Sequence, residues 1–183
     1  MILAYDIATT TGWCAGGGAE TPAVGHVRLP SGKGKDDLAT PFDFWDRWLA
    51  RHIDEWKPDL VVFEAPLLPR PSVDPNTGKV AQNTTMATVK RLSALQVFVE
   101  LHCHRRNIPC YEVAGPTIKK RLAGSGKATK LDMVSVAKRA QVPVNTHDEA
   151  DAFGVWLVAV QYYAKKHRMK WDRALYSNRG LGI

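Results

Sequence analysis

The stretch AYDIATTTG, Ala4 to Gly12, decides how the rest of the chain is read. It places one carboxylate, Asp6, at the end of an apolar run and follows it with three threonines and a glycine. Taken alone, it fits a strand running into a hairpin, with Asp6 an ordinary turn residue. It fits equally a strand whose end presents Asp6 as one wall of a metal site. One aspartate does not separate the two, so the decision passes to the other acids that sit where apolar elements begin or end.

Three more stand in such places. Glu64 closes the run LVVFEAP, a short continuous apolar segment stopped by Pro66, the pattern of a central strand buried on both faces. Asp148 and Asp151 lie in THDEAD, just ahead of the apolar run AFGVWLVAV. Three apart on a helix, they share a face. Simpler explanations exist for some acids here. The helix macrodipole favours Asp148 and Glu149 in a first turn. Thr146 and Glu149 have the spacing of a capping box, which leaves Glu149 out of the candidate site. Asp151 is harder to dismiss, because it lies past the first turn beside apolar residues, where a charge needs a partner or a metal.

If the strands ending in Asp6 and Glu64 are parallel neighbours, both carboxylates stand on one edge of the sheet. Several carboxylates at one edge repel unless a positive charge sits among them. A hard divalent cation such as Mg²⁺ takes oxygen ligands and keeps waters. Two such ions about 4 Å apart can activate a water and stabilise the leaving oxygen in phosphodiester cleavage.

The totals agree with a polyanionic partner. The 183 residues suffice for one domain with a core, and 45% of them are hydrophobic. The formal net charge is +7, which favours nucleic acid. Seven basic residues fall between Lys119 and Arg139 against the single acid Asp132, and Lys165, Lys166, Arg168, Lys170, Arg173 and Arg179 repeat the bias in the tail. Part of that charge is the ordinary solvated face of a helix. No apolar run approaches the roughly 20 residues of a bilayer span, and no leader pattern opens the chain, so a cytoplasmic protein without a membrane partner is expected. Three cysteines without a CxxC pair argue against a disulfide framework or structural zinc. The run His102-Cys103-His104 is a poor metal site, since adjacent helical residues point apart.

The pattern along the chain is that of an α/β protein with a mixed sheet. ILAYDI and GWCAGG read as strands joined by a threonine turn, with residues 23–29 completing a meander. An amphipathic helix opens at Asp36–Asp37 and runs past Ile53. Four prolines between Pro66 and Pro75 predict a long loop over 66–83. Helices are expected over 84–106, 117–122, 130–140 and from Thr146 onward, with CYEVAG a further strand.

Taken in order, AYDIATTTG, VVFEAP, IKKRLAGSGKATK and HDEADAFGVWLVA resemble the RuvC-type Holliday junction resolvases of the RNase H-like superfamily. The likeness runs from Met1 to about Tyr163. It implies an RNase H-like fold, a mixed five-stranded sheet flanked by helices, in a nuclease domain over 1–164 followed by a basic tail over 165–183. It also implies a homodimeric endodeoxyribonuclease of DNA recombination and repair. Such an enzyme cuts Holliday junctions by Mg²⁺-dependent hydrolysis, with Mn²⁺ as a substitute. Asp6, Glu64, Asp148 and Asp151 match the acidic ligands of two ions in the family pattern, with Asp6 bridging them. Lys119 and Lys130 match two lysines near the scissile phosphate.

Two departures accompany the likeness. Leu67 and Leu68 stand where the family places an aromatic wedge, and the proline-rich loop is longer, as phage-encoded members vary. A broader nuclease of forks and flaps, or a non-cleaving junction-binding module, therefore stays open. AGSGKA is no Walker motif, because Gly124 lies too close to Lys127 and Ala128 follows it. The chain is also too short for the paired domains of actin-like ATPases. Thr9 to Gly12 are expected to form a tight turn in which Gly12 relieves backbone strain, with contact of their hydroxyls to phosphate the less favoured reading.

Overall fold

The computed structural model describes residues 1–32, 34, 37–66, 71–73, 80–82 and 85–163. Leu67, Leu68 and the basic tail lie outside the described residues, as do Lys33, Lys35 and Asp36.

Three strands open the chain: β1 (Ile2–Asp6), β2 (Thr10–Gly16) and β3 (Ala23–Arg28). They form the expected antiparallel meander, with Asp6 opposite Gly12 and Gly12 opposite His26. Helix α1 (Ala39–Trp56) leads to β4 (Leu60–Glu64), which lies parallel to β1, Tyr5 pairing with Phe63. Helix α2 (Met86–Arg105) leads to β7 (Cys110–Val113), parallel to β4. The result is a mixed five-stranded sheet in the order β3-β2-β1-β4-β7. Helices α3 (Gly115–Ala123), α4 (Lys130–Arg139) and α5 (His147–Tyr162) complete the chain. This is the RNase H-like arrangement expected from the sequence.

Strand alternation divides the core in two. Ile2, Ala4, Cys14, Leu60 and Val62 face α3, α4 and α5. Leu3, Tyr5, Ala15, Val61 and Phe63 face α1 and α2. Helix α5 is apolar nearly all round because it is sandwiched between the sheet and the α3–α4 pair. Gly154 makes that sandwich tight: a Cβ there would lie 2.7 Å from a methyl of Ile118 and 3.1 Å from the Met133 side chain. No helix among the described residues is long and apolar enough to cross a membrane.

Three expectations need correction. The segment over 66–83 contains a small antiparallel hairpin, β5 (Pro71–Val73) with β6 (Val80–Gln82), rather than continuous loop. The sequence signal was a pair of short strand-compatible runs separated by Asp, Pro, Asn and Gly, residue types that favour turns. Helix α1 begins at Ala39, later than Asp36–Asp37, and Asp37 serves as an external cap. Its carboxylate accepts from the Thr40 amide at 3.1 Å and from the Thr40 hydroxyl at 2.8 Å. Thr10 to Gly12 belong to β2 and not to a turn.

Candidate active site

The same alternation that builds the core aims the acids. Asp6 continues the series Ile2, Ala4, and Glu64 continues Leu60, Val62, so both carboxylates emerge on the α5 side of the sheet. β1 and β4 are parallel neighbours in register, which puts the two strand ends together. Helix α5 starts over this edge. Thr146 accepts from the Glu149 amide at 3.2 Å while Glu149 accepts from the Asn145 amide at 2.6 Å and the Thr146 amide at 3.2 Å. With its start fixed in this way, the first turns of α5 carry Asp148 and Asp151 to the mouth of the sheet.

Gly12 explains how closely α5 comes. A Cβ there would lie 1.9 Å from the backbone oxygen of Asp148. The glycine is therefore needed for helix approach, in place of the strain relief expected from the sequence. The neighbouring Thr11 is fully buried and is committed locally. Its hydroxyl donates to the Ala8 carbonyl at 2.8 Å and accepts from the Ala8 amide at 3.2 Å, so it is not available to phosphate. Thr9 is exposed.

The cleft so formed has a volume of about 360 Å³. Asp6, Glu64, Asp148 and Asp151 all line it, and so do Lys119 from α3 and Lys130 from the first turn of α4. Helix α4 starts there because Thr129 and Asp132 cap it reciprocally. All six candidate residues are thus brought to one cavity.

Electrostatics in the cleft are frustrated. Burial pushes the Asp6 carboxyl well up, Glu64, Asp151 and Asp148 push it further, and Lys130 opposes them. Glu64 is raised to about 7, first by burial and then by Asp151, against the pull of Lys119, a hydrogen bond with Asp6, and Lys130. Asp151 is raised by burial, with Lys130 and Lys119 opposing. Two lysines do not balance four acids in a desolvated cleft.

The donor set fits a hard divalent cation: carboxylate oxygens from three elements, short of positive charge. The side chains are not drawn into a closed cage. Among the described residues, no group of three His, Cys, Asp or Glu side chains stands ready to hold an ion.

Sequence reasoning missed the α2 wall of the cleft, made by Thr88, Leu92 and Gln96. Gln96 is buried and donates to the Glu64 carbonyl at 2.9 Å, holding the end of β4. A polar residue inside the apolar stripe Leu92, Leu95, Val99 was the available signal. Gly115 was also missed: a Cβ there would lie 2.4 Å from Glu64 Oε1, so a larger first residue of α3 would displace the Glu64 carboxylate. Glu149 does more than cap, since its Oε1 lies 2.8 Å from His26 Nδ1 on β3. Burial opposes its ionisation, but the bonds from Asn145, His26 and Thr146 prevail and hold its carboxyl below the usual range. The run His102-Cys103-His104 points apart as expected: His102 bonds Asp46 at 2.8 Å, Cys103 enters the core and His104 is exposed.

Among solved structures, the fold is similar to Thermus thermophilus RuvC at 18% identity and a TM-score of 0.63, covering 92% of this chain and 98% of that one. It is similar to T. thermophilus RuvC in complex with a Holliday junction substrate at 15% identity and a TM-score of 0.66, covering 92% and 97%. It is also similar to the yeast mitochondrial Holliday junction resolvase Ydc2 at 12% identity and a TM-score of 0.57, covering 91% and 82%. No protein-family model and no curated protein sequence matches the chain. At these identities the likeness establishes the fold.

Proposed function

We propose that this chain is a divalent-metal-dependent endodeoxyribonuclease that cuts four-way DNA junctions, leaving a 5′-phosphate and a 3′-hydroxyl. The observation that carries the reading is the single cleft in which four carboxylates from β1, β4 and α5 meet two lysines from α3 and α4. The fold shared with a resolvase in complex with its junction supports it.

Asp6, Glu64, Asp148 and Asp151 are the residues that would hold Mg²⁺ or Mn²⁺. When bound, such ions supply Lewis acidity and a water of lowered pKa. Lys119 and Lys130 draw the phosphodiester over the acids and offset the negative charge that grows on its oxygens during displacement. Gln96 holds the strand end that carries Glu64, Gly115 leaves room for the Glu64 carboxylate, and Gly12 lets Asp148 come close to Asp6.

A homodimer suits a substrate with two-fold symmetry. Val97 and Leu101, one turn apart on the outer face of α2, are exposed apolar side chains on which two copies can pair. A protein that sediments as a monomer both free and on DNA contradicts this part of the reading.

The deciding experiment compares cleavage of a labelled four-way junction, a three-way fork, a flap and a linear duplex, with Mg²⁺ and with EDTA. The account expects paired cuts in the junction, only with the metal. Equal rates on fork and flap favour the broader branched-DNA nuclease. Binding to the junction without cutting favours the binding module.

A further inference from the structure

The catalytic cleft does not end at its acids. Ala8 and Leu92 line it on one side, and their chain neighbours Thr9 and Arg91 line a second cleft of about 420 Å³. The remaining wall of this second cleft comes from described residues between β3 and α1, among them Ser31, Gly32 and Gly34. The two cavities therefore follow one another along the same rim of the sheet, over the turn between β1 and β2.

Their chemistry differs. The first cleft is dominated by carboxylates. Among the described residues the second has the acid Asp37, whose two oxygens accept from the Thr40 amide and hydroxyl. Among the described residues its cation is Arg91, partly buried on α2. Among the described residues, no ion pair or hydrogen bond engages the Arg91 guanidinium. Thr9 is exposed and lines this cleft, and its carbonyl accepts from the Leu29 amide at 2.8 Å. A planar, permanently charged fork beside hydroxyls and glycine backbone is suited to the oxygens of a phosphodiester.

We propose that the second cleft is a phosphate subsite for the DNA strand being cut, with Arg91 as its cation and Thr9 and Ser31 as hydroxyl partners. The inference rests on the nuclease reading above and extends it. On the α3–α4 side of the acids, the strand meets Lys119 and Lys130. On the α2 side, it crosses the β1–β2 turn and places a neighbouring phosphate against Arg91. The acidic centre is thereby bracketed by cations on both sides, which holds the strand across a surface that would otherwise repel it.

The test measures equilibrium binding to a four-way junction in EDTA as a function of salt, for the wild type, R91Q and R91K, each checked for native circular dichroism. A lost phosphate contact lowers the slope of log affinity against log salt by about 0.7 to 0.9. R91Q is expected to show that drop and a severalfold loss of affinity at low salt, with R91K recovering most of both. Neutral methylphosphonates are then substituted one at a time on either side of the cleavage position. One substitution is expected to weaken the wild type to the level of R91Q and to cost R91Q nothing further. Wild-type binding with an unchanged slope for R91Q, or methylphosphonate losses equal in both proteins at every position, overturns the subsite and leaves the nuclease reading standing. A wild type that binds no DNA overturns both.

Discussion

Gly12 and Asp148 are in backbone contact across the sheet–helix interface: a single methyl group on Gly12 would lie 1.9 Å from the Asp148 carbonyl oxygen. Asp6 is the cross-strand neighbour of Gly12. The distance from the acid of β1 to the acids of α5 is therefore set by the absence of one side chain.

It follows that Gly12→Ala separates the two halves of the candidate site. The methyl group meets backbone, which cannot rotate away, so α5 must shift. Overpacking of this kind costs about 1 to 3 kcal/mol, and thermal melting reads it. Junction cleavage is expected to fall far more than junction binding. A variant that melts and cuts like the wild type contradicts the contact.

Lys119 and Lys130 line the cleft from separate helices and both oppose the protonation of Asp151 and Glu64. Lys119→Ala and Lys130→Ala are expected to lower the cleavage rate at saturating protein by about 10²-fold, with junction affinity changed by only a small factor. Single-turnover assays with pre-bound junction separate the two quantities. Loss of affinity with an unchanged rate assigns these lysines to general DNA attraction alone.

The pH dependence of stability tests the frustration directly. Glu64 sits at about 7 in the folded protein against an ordinary 4.5. The folded state thus holds this proton more tightly than the unfolded chain does. The resulting stability is fully present below about 4.5 and is lost as pH rises through 7. His52 works in the opposite direction: burial pushes it down to about 4, so its contribution is present above 6.5 and lost as pH falls. Both proteins in the comparison carry His52, and its effect cancels in the difference. Glu64→Gln in EDTA is expected to melt a few degrees above the wild type at pH 8, with the gap closing between pH 7 and pH 4.5. A variant that melts below the wild type at pH 8 contradicts the assignment.

The sheet and its acids were legible because their cause is local. Apolar runs such as ILAY and LVVF mark buried strands, and the acid that ends each run shows where the strand meets the edge. The capping residues Thr146 and Glu149 likewise announce the start of α5 within four residues. What escaped has a non-local cause. Gly12 reads as a turn glycine until α5, more than a hundred residues later, is seen lying against it. Gln96 reads only as a polar interruption of an apolar stripe until β4 offers a carbonyl. The partnership of His26 with Glu149 joins β3 to α5, and no spacing rule connects them. Arg91 gains meaning only when Ser31, Gly32 and Gly34 are seen lining the other side of its cleft.

The central claim is that Asp6 and the three other acids hold divalent ions that cut DNA, and one paired measurement reaches it most directly. Four-way junction is bound to the wild type and to Asp6→Asn in EDTA, and Mg²⁺ is then added to both. The account predicts equal binding, rapid cutting by the wild type and a rate lower by about 10²-fold or more in the variant. Cutting by Asp6→Asn at the wild-type rate, or cutting by the wild type in EDTA, would contradict it.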